Sequence, residues 1–421
     1  MFKLSLLPYS WKLKSRQSEK VNFKKYLSLL LILITMISFG SLAQTWSQVI
    51  EGTYGGKLLK TSQGDMLITG EARFPIMSDM TISETAHPVY DFVYHLTPTP
   101  DILWAKSFSE KNDELGGMVS GQVIIEKKNG EYALLVEGHH VNEQHMAFFS
   151  HSGELLSWHA FAADEQLRHA IGTHDGGILV VGATQAGQGL VIKMNHKGKV
   201  KWQHVMDQDV TVFHHVVELA SGDFILAGQS VLETGENTAS IVKISGKNEK
   251  NREIWAEHLL EKELDDARVT GLALTQDEDV IISGQIGQNS KSWIANFSID
   301  ETEMHQNFIW SQDEEQNVVS QINDVIVTSL GNIVAVGKSD KRHMAGVTDY
   351  WVLGLSLKGN QNWAHYYGGL GNDEAFSVIE MNNDQLVISG YSSGFDITGT
   401  WVLSLNAQGE IDNFTPSVLQ Y

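Results

Sequence analysis

With 421 residues, 42% of them hydrophobic, the chain has ample material for a large core, and 51 acidic against 30 basic residues give it a net charge of −21. Such a surface repels nucleic acid and anionic lipid and suits cations or basic partners. The absence of cysteine excludes a disulfide framework, a thiolate metal site and a lipid-modified N-terminal cysteine.

The first 43 residues stand apart. Lys3, Lys12, Lys14, Arg16, Lys20, Lys24 and Lys25 form a basic leader. Tyr26 to Ser38 is an uncharged apolar run, too short for a comfortable membrane span. Ser41-Leu42-Ala43 then offers small residues where a signal peptidase reads. Residues 1–43 therefore read as a cleaved signal peptide, with an uncleaved anchor as the competing reading. Residues 44–421 read as the folded domain of an exported chain, periplasmic or extracellular, with no stable membrane span after cleavage. Without the leader the chain holds 23 basic and 50 acidic residues, a net of −27.

From Thr45 onward the periodicity is that of strands. "TWSQVIEGTYGG" (Thr45 to Gly56) is a short Trp-bearing strand that runs into a glycine turn. Strands ending in glycine follow at Gly70, Gly138, Gly182, Gly228, Gly284, Gly337 and Gly390, seven in all. Trp-bearing strands recur at Trp46, Trp104, Trp158, Trp202, Trp255, Trp310 and Trp363, spaced 44 to 58 residues apart. Runs such as "GILVV" and "VIIS", bounded by Gly, Asp and Asn, are short buried strands. Four strands in each unit of this length make a propeller blade, since β-solenoid coils are usually shorter. The expected fold is all-β, a seven-bladed β-propeller of four-stranded antiparallel blades. With strands lettered A to D from the axis outward, Trp sits on strand D as a buried dock between blades. Truncation of Trp202 is then expected to cost about 3–5 kcal/mol. The last unit has strands A to C and no Trp after them, so the N-terminal strand is expected to supply its strand D and close the ring. The competing candidate is the segment around Phe414, where Pro416 would remove a ladder hydrogen bond.

The stretch from Asn362 to Gly409 carries Trp363, Gly368-Gly369, Asp373-Glu374-Ala375, Gly390, Trp401-Val402 and Gly409. It resembles the repeats of bacterial exported β-propeller proteins, loosely grouped with quinoprotein-like and WD-repeat propellers. The resemblance implies a fold, and that fold hosts many functions. Against a quinoprotein stand the seven units and the missing cysteine. Sialidase boxes, a nucleophile elbow, a His-Glu-x-x-His motif and a phosphate loop are all absent from the sequence.

Candidate site residues emerge when the units are aligned on their glycine. The residue thirteen positions earlier falls at the start of strand A, facing the channel. That column reads Lys57, His169, His215, Gly271, Asp324 and Ser377, with Val123 where the spacing slips. Imidazole and carboxylate there suit a divalent cation such as calcium, and no organic cofactor is expected. Adjacent residues on a strand face opposite ways, so neither His139-His140 nor His214-His215 is expected to act as a pair. The D-to-A connections are acidic throughout: Glu51, Asp113-Glu114, Asp164-Glu165, Asp207 and Asp209, Asp265-Asp266, Asp313-Glu314-Glu315 and Asp373-Glu374. They share one face of the disc with the channel mouth. The long B-to-C loop from Glu71 to Tyr90 adds Phe74 and Met77 as contact candidates.

These features predict a non-catalytic binding or interaction module with an acidic loop face. Its expected partner is a protein or an extracellular glycan, cationic if the acids recruit it. The alternatives are a carbohydrate-active or metal-assisted hydrolase or lyase with its site at the channel mouth, and a cell-envelope assembly scaffold.

Overall fold

The computed structural model describes residues 45–72, 90–108, 118–138, 144–206, 212–231, 237–247, 253–259, 267–287, 291–300, 303–311, 318–342, 347–395, 398–414 and 417–418. The expected signal peptide lies outside them. The described residues form seven sheets, antiparallel apart from one two-residue parallel pairing, and no α-helix, with a single 3-10 turn at Asn382–Asp384. No helix among them is long and apolar enough to cross a membrane.

Six blades are made from contiguous sequence. Blade one, for example, orders Thr53–Lys60, Met66–Ala72, Tyr90–Leu96 and Ile102–Phe108 as strands A to D. The chain is a seven-bladed β-propeller. Strands B and C are apolar on both faces because neighbouring blades cover both. In blade three, Ile178–Thr184 and Gly189–Met194 are buried almost throughout, as expected for strands sandwiched between layers. The outer strand Leu155–Ala160 of blade two is mostly exposed. The core therefore lies between blades. One cluster joins Val334, Val336, Tyr350 and Val352 of blade six to Val378, Ile388, Trp401 and Leu403 of blade seven.

Blade seven closes the ring through the N-terminal strand. Asp373–Glu380, Leu386–Ser392 and Gly399–Leu405 are its strands A to C, and Trp46–Glu51 is its strand D. The register runs from Trp46 opposite Ser404 to Glu51 opposite Gly399. A buried relay locks the seam: the Trp401 indole N–H donates to Ser47 Oγ at 2.9 Å, and Ser47 Oγ donates to the Phe414 carbonyl at 2.8 Å. The Phe414 segment does not take the place of strand D. It leads to Ser417–Val418, which pairs parallel along the outer edge of the N-terminal strand.

The outer tryptophans differ from expectation. They do dock blades: Trp46 Nε1 donates to the Pro98 carbonyl and Trp104 Nε1 to the His151 carbonyl, each in the C-to-D turn of the following blade and each at 3.0 Å. A Cβ on Gly153 or Gly409 would strike the ring of Trp104 or Trp363. The docks are shallow, however. Trp158 is 40% exposed, and Trp202 is only partly buried, so truncating Trp202 removes less buried surface than a core aromatic would. Strand D is the edge of the sheet and has a neighbour on one side. The deepest tryptophans are Trp293, Trp351 and Trp401, all on strand C, and of the strand-D tryptophans only Trp255, at 8%, is buried among the described residues.

The repeat glycine does not end strand B, which runs two or three residues further in most blades, and it is glycine for a reason of contact. A Cβ at Gly182, Gly228, Gly284, Gly337 or Gly390 would overlap the carbonyl oxygen of Gln166, Val212, Arg268, Gln321 or Glu374 on strand A. Only glycine allows the two backbones to approach so closely.

Candidate functional site

That close approach adjoins a β-bulge on strand A. In blades three to seven the ladder slips at Leu167/His169, Phe213/His215, Val269/Gly271, Ile322/Asp324 and Ala375/Ser377. In blade one Gly55 and Gly56 make the same break between Tyr54 and Lys57. Blade two has two irregularities, at Met118/Ser120 and Gly121/Val123, which accounts for the slipped spacing at Val123. A bulge inserts a residue and re-aims its neighbours. In blades three, four, six and seven two successive residues therefore share the channel mouth, whereas blade five has Gly271 at this position and lines the mouth with Leu272.

The mouth opens into a cavity of about 920 Å³. Lys57, His169, His215, Asp324 and Ser377 all line it, as the alignment predicts, together with Tyr54, Arg168, His214, Asn323 and Phe376. His214 and His215 line the same cavity, contrary to strict strand alternation, because the bulge between Phe213 and His215 interrupts it. The bulge residues Arg168, His214, Asn323 and Phe376 are the functional candidates that sequence reasoning missed. Their signal is the column one position before the one chosen, and the bulge is what makes that column relevant.

The other candidates fall outside the described residues: Asp313, Glu314, Glu315, Phe74 and Met77, together with His139-His140 and the acids at 113–114, 207, 209 and 265–266. Where the acidic connections are described, several acids serve the fold. Asp373 is buried and accepts from the amides of Gly369 (2.9 Å) and Gly394 (3.1 Å). Glu165 is buried and accepts from the Ala162 amide at 2.9 Å. Glu374 pairs with Lys338 at 2.8 Å.

Inside the mouth, the polar groups of blades six, seven and one are tied across the seams. Asp324 accepts from the amide of Val325 at 2.9 Å and from that of Val378 at 3.0 Å. Ser377 Oγ accepts from the Leu58 amide at 3.3 Å, and Lys57 Nζ donates to the Phe376 carbonyl at 3.2 Å. Asn323 Nδ2 donates to Glu374 and to the Ala375 carbonyl. Burial raises the Asp324 carboxyl above its ordinary range, against the pull of Lys57 and the two amides.

Blades three and four hold imidazoles. The rings of His169 and His215 lie 5.1 Å apart. Burial, with Lys57 adding to it, pushes His169 down to about 4. Burial, with Arg168 and Arg268 adding to it, pushes His214 down to about 4. His215 falls well below its ordinary value, mainly through burial. His169 Nδ1 and His214 Nε2 are buried without hydrogen-bond partners. His169, His215 and Asp324 do not bring three ligand atoms within 4.8 Å of one another. Among the described residues, the group that does so is the exposed set Asp300, Glu303 and His305, on the C-to-D turn of blade five.

No protein-family model matches the sequence, and no curated protein matches it. Solved structures do. A lectin from Burkholderia pseudomallei superposes with a TM-score of 0.53 at 7% identity, covering 88% of this chain and 97% of the lectin. Drosophila semaphorin 1a, extracellular domains 1-2, superposes at 0.50 with 7% identity, covering 87% of this chain and 88% of its own. A chain from the complex of Drosophila plexin A with semaphorin 1b also gives 0.50, at 8% identity and the same coverages. At such identities the likeness is one of fold.

Proposed function

We propose that this protein is an exported, non-catalytic binding module whose recognition surface is the channel mouth, and that its partner is a protein or an extracellular glycan. The observation that carries the reading is the run of bulged inner strands, which turn paired side chains into one cavity of about 920 Å³. The chemistry of the lining favours recognition over catalysis. Aromatic rings, amides, imidazoles and cations share the mouth. Asp324 spends both carboxylate oxygens on backbone amides, and burial pushes the His169 and His214 imidazoles down to about 4, which makes them weak bases. An enzyme needs acid, base and nucleophile converging on one point.

Aromatic groups add a contact surface. Tyr54 is 49% exposed and leans on Tyr391 at 4.8 Å and Phe376 at 5.8 Å. An exposed, braced ring offers apolar area with little ordering cost. The purified protein screened against extracellular glycans and proteins tests the proposal. Binding should fall at least about tenfold in Tyr54→Ala or His169→Gln, the loss of one good contact. A hit whose affinity ignores both substitutions places recognition elsewhere.

A further inference from the structure

We infer that the sector of the mouth formed by blades three to five binds one anionic oxyanion group, a carboxylate or a phosphate, held by Arg168, His214 and Arg268; this rests on the mouth being the recognition surface. Arg168 and His214 are the bulge residues of adjacent blades. Arg268 is outside the cavity lining itself and lies two residues before the corresponding position, Thr270, in blade five. Side chains two apart on a strand share a face, and blade six shows this arrangement directly, where Gln321 bonds Asn323 at 2.8 Å. Both guanidinium groups act electrostatically on His214.

The two arginines and His214 bring three unpaired polar groups to adjacent blades. Both arginines are exposed, and among the described residues neither has a hydrogen bond or an ion pair. The other described arginine, Arg342, is matched with Asp349, as Lys338 is with Glu374, Lys193 with Asp175 and Lys106 with Glu154; lysines such as Lys60 and Lys247 have no ion pair among the described residues, so the contrast holds for the arginines. Between the two arginines, His214 Nε2 is buried and unpartnered. A buried polar atom without a partner is costly to maintain, and a ligand oxygen would satisfy it. Two guanidinium forks match the geometry of an oxyanion and repel a cation. The net charge of −21 argues against a polyanion. The ligand is then largely neutral and carries one acidic group. This reverses, for the channel mouth, the expectation of a cationic partner.

The test is titration of the purified protein at pH 7 and low salt with galacturonate and with inorganic phosphate, with galactose as the neutral control. Binding is read from heat and from the His214 ring resonance. At least one anion should bind about tenfold or more tightly than galactose. Arg168→Gln and Arg268→Gln should each weaken it about tenfold, the equivalent of one charge-assisted contact. Lys247→Gln, at the far end of blade four, should change nothing. Preference for galacturonate assigns a carboxylate, and preference for phosphate assigns a phosphoryl group. Equal binding of galactose and the anions, or indifference to both arginine substitutions, overturns the proposal. A neutral ligand that is lost with Tyr54→Ala but not with the arginine changes overturns it too, while leaving the mouth as the recognition surface. Indifference to every mouth substitution removes the underlying reading as well.

Discussion

The two sides of the channel mouth use the same backbone device for opposite ends. In blades six, seven and one, the residues around the bulge are rivets: Asp324, Ser377 and Lys57 each bond the next blade's backbone or the one before it. In blades three and four, the bulge residues Arg168 and His214, one position before that column, bond nothing among the described residues, and Arg268 of blade five does not either. One arc has spent its polar groups on the ring. The other has kept them for something outside it. A polar column in a repeat protein thus divides by what its partners are, and residue type alone does not tell which side is which.

Several experiments can break or sharpen this contrast. The largest effect should fall on the seam that keeps the mouth closed. Trp401→Ala removes a fully buried indole and its bond to Ser47, and about 3–5 kcal/mol should be lost in a denaturant titration. Trp158→Ala, at 40% exposure, should cost about 1 kcal/mol or less; equal losses would mean that strand D is as deep as strand C. Next comes the riveted arc. Asp324→Ala orphans the Val378 amide and should cost about 2–3 kcal/mol, with Asp324→Asn losing less. A neutral result for Asp324→Ala would show that the rivets carry no stability.

The third effect is on pH dependence. His169 and His214 titrate near 4 when folded and near 6.5 when unfolded. Their contribution is complete above about 6.5 and declines as the pH falls from there toward 4, because only the unfolded chain takes up the protons. Asp324 pulls the other way, since its raised folded value favours the folded state as acid protonates it. The decline between pH 6.5 and 4 should flatten in a His169→Gln, His214→Gln double variant. An unchanged slope would place the responsible groups elsewhere. The smallest effect is expected at Arg168→Gln, which should alter stability by no more than about 0.5 kcal/mol. A larger loss would make Arg168 a rivet as well.

Much of this architecture is legible in the sequence, because a repeat shows its design several times. The strand-B glycines, the turn glycines and the orphan Trp46 strand point to seven blades and to closure by the N-terminal strand. The channel column was found from spacing, because it lies a fixed distance before a glycine that the backbone contact requires. The bulge was not found. It adds one residue to strand A without any compositional mark, and it turns His214 to the same cavity as His215 where alternation would separate them. The depth of the tryptophans was also misjudged. A repeated aromatic signals a repeated contact, but Trp158 and Trp401 look alike in sequence, and only the number of neighbouring layers distinguishes them.

The seam at Ser47 and Trp401 joins positions 354 apart in sequence, whereas every other sheet is built from neighbours along the chain. Loop closure of that length has an entropic cost that grows only slowly with separation, so the seam is affordable. Pairing at such separation is expected to be slow, since the loop must close before the contacts form. This seam is then also a gauge of completion. A chain that stops short of this pairing leaves the Trp401 indole without its bond to Ser47, and solvent protection of that one indole N–H would report whether the circle has been finished.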